Sequence, residues 1–550
     1  MIAVMCGMFL VALDQTIIAT ALTKIVEEFN DFSGLSWIVT AYLLTSTVTV
    51  PIAGKLSDIF GRRVMLLIGV AVFTITSLFS GSAENMMQLI VARSLQGIGG
   101  GIIMANAFTI IGDLFSPRER GRWQGFISSV FGLASVVGPL LGGFLTDGHG
   151  LLGLMTSWRW NFWINVPIGI VAFIMIARYC PAIRHDHKPK IDYAGASLIT
   201  VSLVSLILAV DNTKDIFADL ISQGIGLTTI RAVLYGLTII SAAAFVWVER
   251  RAKEPIISLK YFKNRTFSSV MIIALLFGAA FLGAILYLTQ FNQQVFGADA
   301  TKAGLMLLPM IIALTVTSAV TGQIVSRTGK YKAFFVGGLS LATICVLSLS
   351  LLQADSPYWH EAIIMALVGM GLGTGMPIMN LAVQNEFEQR ELGAVTASSQ
   401  LFRGLGSTIG TAIMGSILTL GVSHLLGNLN QDPYIQTLKA QPSSSQIIGS
   451  DMSIDTALTL NQADVKQKIN SGLEKGLDQA NLPPAAKAQA QQSFLAKQQD
   501  FKNRLIESFV TSLHRVFYVA AALMAIAVII AFGVKERPLR GHADETPGAA

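Results

Sequence analysis

Apolar runs of about twenty residues, each closed by a short polar break, recur along nearly the whole chain. That is the length an α-helix needs to cross about 30 Å of hydrocarbon at 1.5 Å per residue. A spanning-segment window predicts fourteen helices, at 1–25, 35–53, 64–83, 86–111, 125–145, 160–180, 192–210, 230–248, 268–290, 303–325, 333–353, 360–383, 393–420 and 507–533. The fold class is therefore all-α, a polytopic membrane protein. The first run begins at Met1 without a basic flank or a small-residue cleavage pattern, so it reads as a mature helix with little or no tail before it.

One stretch breaks the pattern. From 421 to 507 the chain is polar, rich in Gln, Ser, Ala and Lys, and interrupted by Pro483 and Pro484. Val465, Ile469, Leu473 and Leu477 recur there every four residues, and 485–504 is helix-prone, so short amphipathic helices are expected inside a long extracytoplasmic loop. They read either as a cap on the outer mouth or as a tether.

Composition agrees with a lipid solvent. Of the residues 52% are hydrophobic and 13% charged, against about 25% charged in a soluble domain. The net charge of +6 does not form a nucleic-acid stripe. Lys and Arg gather instead in alternate short loops, at 55–63, 118–122, 184–190, 250–265, 327–332 and 390, while the opposite loops carry mostly acids such as Glu27, Glu28, Glu84 and Asp355. The asymmetry predicts that the basic loops and both termini are cytoplasmic, in a cell (plasma or inner) membrane. Cys6, Cys180 and Cys345 show no metal-site spacing with histidines, so neither a disulfide nor a metal is expected.

The chain repeats itself. Gly54-Lys-Leu-Ser-Asp58-Ile-Phe-Gly61-Arg62-Arg63 follows the second helix, and Gly322-Gln-Ile-Val-Ser-Arg327-Thr-Gly329-Lys330 follows the tenth, with glycines at equal separation. Glu119 to Gly138 and Glu391 to Gly410 match in the same way. The repeat divides the chain into an N-terminal six-helix bundle (1–180), an inserted helix pair with a basic linker (181–265), and a C-terminal six-helix bundle (266–550) that includes the loop at 421–507.

The element from Gly54 to Arg63 resembles the helix 2–3 signature of the major facilitator superfamily. Gly132-Leu-Ala-Ser-Val-Val-Gly138-Pro139-Leu-Leu-Gly142-Gly143 resembles its antiporter motif, and the stretch from Leu13 to Leu22 resembles the helix 1 motif of the fourteen-helix drug:proton antiporters. The resemblance implies a major facilitator fold with two extra helices, a proton gradient as energy source with no cofactor, and a monomer exchanging small molecules for protons. It also implies that Gly54, Asp58, Gly61, Arg62, Arg63 and Asp113 form a conformational gate, with Arg62 reaching Asp113 and Asp58 facing a helix N-terminus of the other bundle. Ser326 and Arg327 depart from the pattern, so the second half is expected to latch less.

Asp14 lies midway along the first helix, where an ionised carboxylate costs at least about 2.5 kcal/mol. It reads as a proton-coupling or cation-binding acid, or as an acid permanently paired for packing. Arg93 of helix 4 is its natural partner, within a motif that ends Gln96-Gly97. Pro139 removes a helical hydrogen bond, and the glycines around it permit close packing, so that helix reads as a hinge or as a packing surface. Arg403 stands about 18 Å into helix 13. Helices 9 to 13 show no deep carboxylate for it, which leaves polar groups such as Gln290 and Gln400, or an anionic substrate, as partners. Tyr42 and Tyr287, with Trp37, Phe108, Phe291 and Phe402, are candidates to line an adaptable cavity. Trp158-Arg159-Trp160 and Asn165 are given no chemistry.

No G-x-x-x-x-G-K-[ST] element is present, which excludes an ATP-driven pump within this chain. The seven histidines are scattered and not clustered at one depth, which argues against a membrane-embedded enzyme. The leading expectation is a proton-coupled exporter of lipophilic, cationic drugs. The alternative is an exporter of an anionic or amphiphilic metabolite, lipid or siderophore.

Overall fold

The computed structural model describes residues 1–29, 35–146, 150–151, 154–181, 192–210, 213–252, 254–298, 300–427, 429–439, 454–461, 463–479, 483–537 and 539. The expected loop basic residues Arg184, Lys188, Lys190 and Lys253 lie outside them. Among the described residues the chain is helical, apart from a pair of two-residue antiparallel strands, Gly150–Leu151 and Leu154–Met155.

The principal helices are α1 (Ile2–Ile17), α2 (Leu35–Phe60), α3 (Arg62–Gly81), α4 (Met86–Leu114), α5 (Pro117–Thr146), α6 (Asn165–Tyr179) and α7 (Tyr193–Val210). They continue with α8 (Leu227–Glu249), α9 (Arg265–Gln294), α10 (Leu308–Thr328), α11 (Lys332–Ser348), α12 (Tyr358–Gln384), α13 (Leu392–Leu426) and α14 (Pro484–Phe532). Thirteen spans among the described residues are long and apolar enough to cross a membrane, and α1 is a shorter apolar helix.

Local chemistry explains several boundaries. The Asn85 side chain caps α4 by accepting from Gln88 N at 2.9 Å, and Asn264 caps α9 by accepting from Phe267 N at 3.1 Å. Gly61 turns the chain from α2 into α3 at φ 90°, and Gly329 ends α10 at φ 71°. These glycines occupy equivalent places in the repeat. Positive φ is disfavoured for any residue with a Cβ, which explains why both copies carry glycine.

Two expectations are corrected. The first helix does not run unbroken to 25: a 3₁₀ turn, Ile18–Thr20, separates α1 from a short helix, Leu22–Phe29. The last helix is not confined to 507–533, because the helix-prone 485–504 stretch fuses with it into a single helix of 49 residues whose first turn begins at Pro484. The loop at 421–507 also contains helices Pro433–Lys439, Ile454–Leu460 and Ala463–Gln479. Ile469 of the last is buried, and Val465 and Leu473 pack with it against the core formed by α9 to α14.

Helix α4 packs along α2 and α3, α1 along α5 and α6, α9 along α13, and α12 along α10 and α11. Two long contacts join the first six helices to the last six: α5 with α10, and α2 with α13. Helix α8 packs on α7, and α7 touches α2 and α13, which places this pair beside the second seam. Most of α8 is exposed, including Val233, Ile239, Ile240 and Trp247, as expected for a helix whose outer face meets lipid.

Candidate functional site

Asp14 is completely buried at the centre of the first six helices. Arg93 Nη1 donates to its Oδ2 at 2.6 Å, and Gln96 Nε2 and Asn165 Nδ2 both donate to its Oδ1 at 2.9 Å. Arg93 and Gln96, three residues apart, share one face of α4 and are themselves bonded, Nη1 to Oε1, at 2.8 Å. The guanidinium also lies 4.3 Å from the Tyr42 ring centroid and 5.7 Å from that of Phe162, a cation–π contact on two sides. Asn165 donates further to Ser77 Oγ at 3.0 Å, and Ser77 donates to the Phe162 carbonyl at 2.9 Å. An ionised Asp14 is thus satisfied by three donors and one counter-charge, which is the condition for a charge to persist in a dry interior.

The Asp14–Arg93 pair is the one expected from the sequence, whereas Asn165 carries no expected role there. The structure corrects this, because α6 begins at Asn165 and aims its amide at Asp14. The only available sequence signal was a polar residue within an apolar helix start, a signal shared with many helix caps. Trp158 and Arg159 also do more than anchor an interface: Trp158 Nε1 and Arg159 Nη2 donate to the two oxygens of Glu28 at 2.6 and 2.7 Å.

A second constellation lies where α2 turns into α3, hereafter the basic end. Buried Arg62 pairs with Asp113 through Nε at 2.7 Å and with Asp58 through Nη2, and also donates to Ser57. Arg63 donates to the Ala177 carbonyl. Asp58 lies against Gly393 in the first turn of α13, and Gly54 packs on Ala397. A carboxylate at a helix N-terminus faces unpaired amide N–H groups and the positive end of the helix dipole.

Hydrogen bonds cross between the two halves at this end. Arg118 donates to the Ser326 carbonyl at 2.9 Å and to that of Arg327. Gln124 donates to Gln384 Oε1 at 2.9 Å, Gln384 donates to the Phe108 carbonyl at 3.1 Å, and Gln389 donates to the Asp113 carbonyl at 3.1 Å. Ser129 donates to the Thr315 carbonyl at 3.0 Å, about 18 Å along α5 from its start. Within this seam the Gly121 and Gly322 backbones touch so closely that a Cβ on Gly121 would stand 3.2 Å from the Gly322 oxygen. The departure at Ser326 and Arg327 therefore does not leave the second half uninvolved: backbone carbonyls replace the missing acid as acceptors for Arg118.

The glycine-proline element of α5 faces two helices. Gly132 lies against Thr315 of α10, while Gly138 lies against Thr16 and Gly142 against Thr20 and Ile17 of the first helix region. Thr16 Oγ1 donates to the Ala134 carbonyl at 3.0 Å, two residues from Asp14 in sequence. Pro139 sits inside α5 beside Gly304, and Gly143 is half-buried.

The remaining candidates do not join Asp14. Arg403 is half-buried on α13; Nη2 donates to Gln400 Oε1 at 2.6 Å and Nη1 approaches Met376 Sδ at 3.8 Å. Tyr287 donates to the Thr411 carbonyl at 2.9 Å, which pins α9 to α13. Gln290 keeps a buried Oε1 without a partner. Tyr42, Phe108, Tyr287 and Phe291 are all buried core side chains in this conformation, not the walls of an open cavity. Glu361, in the first turn of α12, is fully buried, although it stands at the end of its helix and not deep along it.

At the opposite end from Arg62, a cleft of about 620 Å³ opens between the tip of α9 and the polar helices, lined by Gln294, Asn461, Lys466, Asn470, Glu474 and Lys502. Lys466 donates to Asn461 Oδ1 at 2.6 Å. Burial, and secondarily the neighbouring Lys502 charge, hold the Lys466 ammonium down at about 8.

Residues 4–411 match the model of the Major Facilitator Superfamily. The chain belongs to that superfamily. Among its relatives, the Bacillus subtilis "multidrug transporter protein MdtP" is 36% identical over 529 residues, covering 96% of this chain and 91% of the relative. "Multidrug resistance protein 3" of the same organism is 36% identical, covering 76% and 79%. The "efflux pump dotC" of Dothistroma septosporum is 32% identical, covering 76% and 70%. The fold resembles a crystal structure of the human organic anion transporter MFSD10 (TM-score 0.57, 15% identity, 76% of this chain and 92% of that one). It also resembles the proton:xylose symporter XylE (TM-score 0.56, 15% identity, 77% and 89%).

As a major facilitator protein the chain is a multi-pass membrane transporter and not an enzyme. The family match extends through both seam contacts, so the buried Asp14 network and the Arg62 cluster belong to a transporter scaffold.

Proposed function

We propose that this protein is a proton-driven exporter of lipophilic, cationic compounds, working as a single chain by alternating access with its basic end and both termini in the cytoplasm. The relatives named for multidrug transport and efflux support drug export, and the buried carboxylate of Asp14 is the feature that favours a cationic cargo. The alternation of basic and acidic loops supports the orientation.

The observation that carries the proton-coupled reading is the Asp14 network. Its donors stabilise the carboxylate, and Arg93 has other acceptors in reach: Gln96 Oε1, the Ile38 carbonyl at 3.4 Å, and two aromatic faces. Protonation of Asp14 therefore releases Arg93 to these groups without stranding its charge. The change frees α1 and α6 from α4, which is the kind of two-state contact that alternating access requires. A cationic substrate at Asp14 competes with the proton for the same lone pairs, so the two ligands exclude each other and exchange follows.

The test is substrate efflux and proton flux in proteoliposomes under an imposed pH gradient. Asp14→Asn is expected to abolish coupled exchange while leaving the protein folded. Retention of coupled antiport in that variant rules the assignment out.

A second reading rests on Arg403, which has Gln400 and Met376 as its polar contacts and no ion pair among the described residues. An anionic or amphiphilic cargo would satisfy it. Arg403→Gln then weakens binding of anionic cargo selectively, whereas an equal loss for neutral, cationic and anionic compounds marks the arginine as structural.

A further inference from the structure

Glu361 is a buried acid that the Asp14 mechanism does not use, and among the described residues both of its carboxylate oxygens lack a partner, whereas buried Glu249 accepts from Ile256 N. Glu361 lies in the first turn of α12, with no exposed surface. The amide of Asn292, near the end of α9, is close enough to act on it as a weak donor, but no contact between them has the geometry of a formed hydrogen bond, and both polar atoms of the amide are buried.

Among the described residues no cation pairs with Glu361; the adjacent His360 is exposed and lies against Trp359. The Tyr358 hydroxyl, one turn away, donates to the Met306 carbonyl at 2.8 Å. Lys302, on the short helix Ala300–Met306, is exposed and has a partner of its own. His514 Nε2 on α14 is held at the Leu352 carbonyl at 2.7 Å. The last turns of α9 carry amides at Gln290, Asn292, Gln293 and Gln294 and no charged side chain.

The contrast with Asp14 is chemical. Asp14 has three donors and a guanidinium, so its anion is the satisfied species. Glu361 has none of these, and an ionised carboxylate there would stand desolvated and unpaired, which proteins avoid by keeping the proton on the group. Two residues beyond Asn292, about 3 Å along the helix, Gln294 lines the cleft at the end opposite Arg62.

We propose that Glu361 is a second proton-binding site, filled in this conformation and exchanging its proton with water through the cleft beside Gln294. This rests on the reading of the protein as a proton-driven transporter. On release the carboxyl O–H bond breaks, the proton passes to water, and the electron pair stays on the carboxylate. The anion persists only once rearrangement brings water or the Asn292 amide N–H to it, and reprotonation restores the buried acid. One conformation therefore holds the proton at Glu361 and a charge at Asp14, which gives the two halves opposite protonation states.

Infrared difference spectroscopy of the reconstituted protein between neutral and alkaline pH reads the carboxyl directly. A protonated-carboxyl C=O band is expected in the parent protein and in Asp14→Asn, lost in Glu361→Gln, and shifted in Glu361→Asp. A band that survives unchanged in Glu361→Gln overturns the proposal. In proteoliposomes Glu361→Gln is expected to slow gradient-driven transport by at least about tenfold, with Glu361→Asp partly restoring it. Loss of the band with full gradient-driven transport also overturns it. If the parent protein moves substrate without protons, the proton-driven reading itself fails, while the infrared result still reports whether Glu361 carries a proton.

Discussion

Asp14 has two oxygens and three donors, which come from two places: Arg93 and Gln96 from one face of α4, Asn165 from the start of α6. Removing a donor to a charged group costs more than removing a neutral bond, because the charge stays behind. Asn165→Leu is expected to destabilise the protein by about 1.5–3 kcal/mol, and Arg93→Leu by about 3–5 kcal/mol since it strands a buried charge. Thermal unfolding in detergent, followed by intrinsic fluorescence, checks the order; equal midpoints for the two variants would contradict it. The Asp14–Arg93 pair was readable from the sequence, since both charges interrupt apolar runs at compatible depths. Asn165 and Glu361 were not. An amide at a helix start is unremarkable by type, and Glu361 stands only one turn inside α12, so hydropathy alone does not separate it from an interfacial acid.

Helices α5 and α10 meet glycine to glycine at Gly121 and Gly322, and the cross-seam bonds of Arg118, Gln124 and Ser129 depend on that approach. A bulky side chain at Gly322 must push the Gly121 backbone away. Gly322→Val is expected to open the basic-end seam, seen as faster labelling of a Ser129→Cys thiol, whereas Gly121→Ala, whose methyl needs only a few tenths of an ångström, changes labelling little. At the other end, Lys466 titrates near 8 in the folded protein and near about 10.4 in an unfolded chain. Between those values the unfolded chain binds a proton that the native state does not, so native stability rises with pH through that window, and the burden of the buried charge is fullest below it. Lys466→Met removes the burden, so its advantage in thermal midpoint should shrink as pH rises from about 8 to about 10. Helix existence was legible from apolar runs and caps. The fusion of 484–506 with the last span was not, because a polar helix joined to an apolar one has no break in backbone preference for hydropathy to detect.

Across the whole molecule, the first and last six helices meet along α5–α10 and α2–α13, and the named cross-seam hydrogen bonds gather at the basic end. A Ser129→Cys, Thr315→Cys pair, cross-linked by oxidation, is expected to stop transport, and reduction to restore it; continued turnover in the cross-linked protein would show that this seam does not open. The membrane solvent, the order of the spanning helices, the repeat, and the glycines that turn α2 into α3 and end α10 are all legible along the chain. These are consequences of local composition: a span must be apolar over its own length, and a positive φ favours glycine wherever it occurs. Which polar groups are satisfied is a matter of how the helices pack. Asn165 reaches Asp14 across 151 residues and Gln124 reaches Gln384 across 260, whereas among the described residues Glu361 makes no formed hydrogen bond. Whether a buried carboxyl keeps its charge or its proton depends on the faces that neighbouring helices turn toward it, and that rotation is set by packing across the bundle.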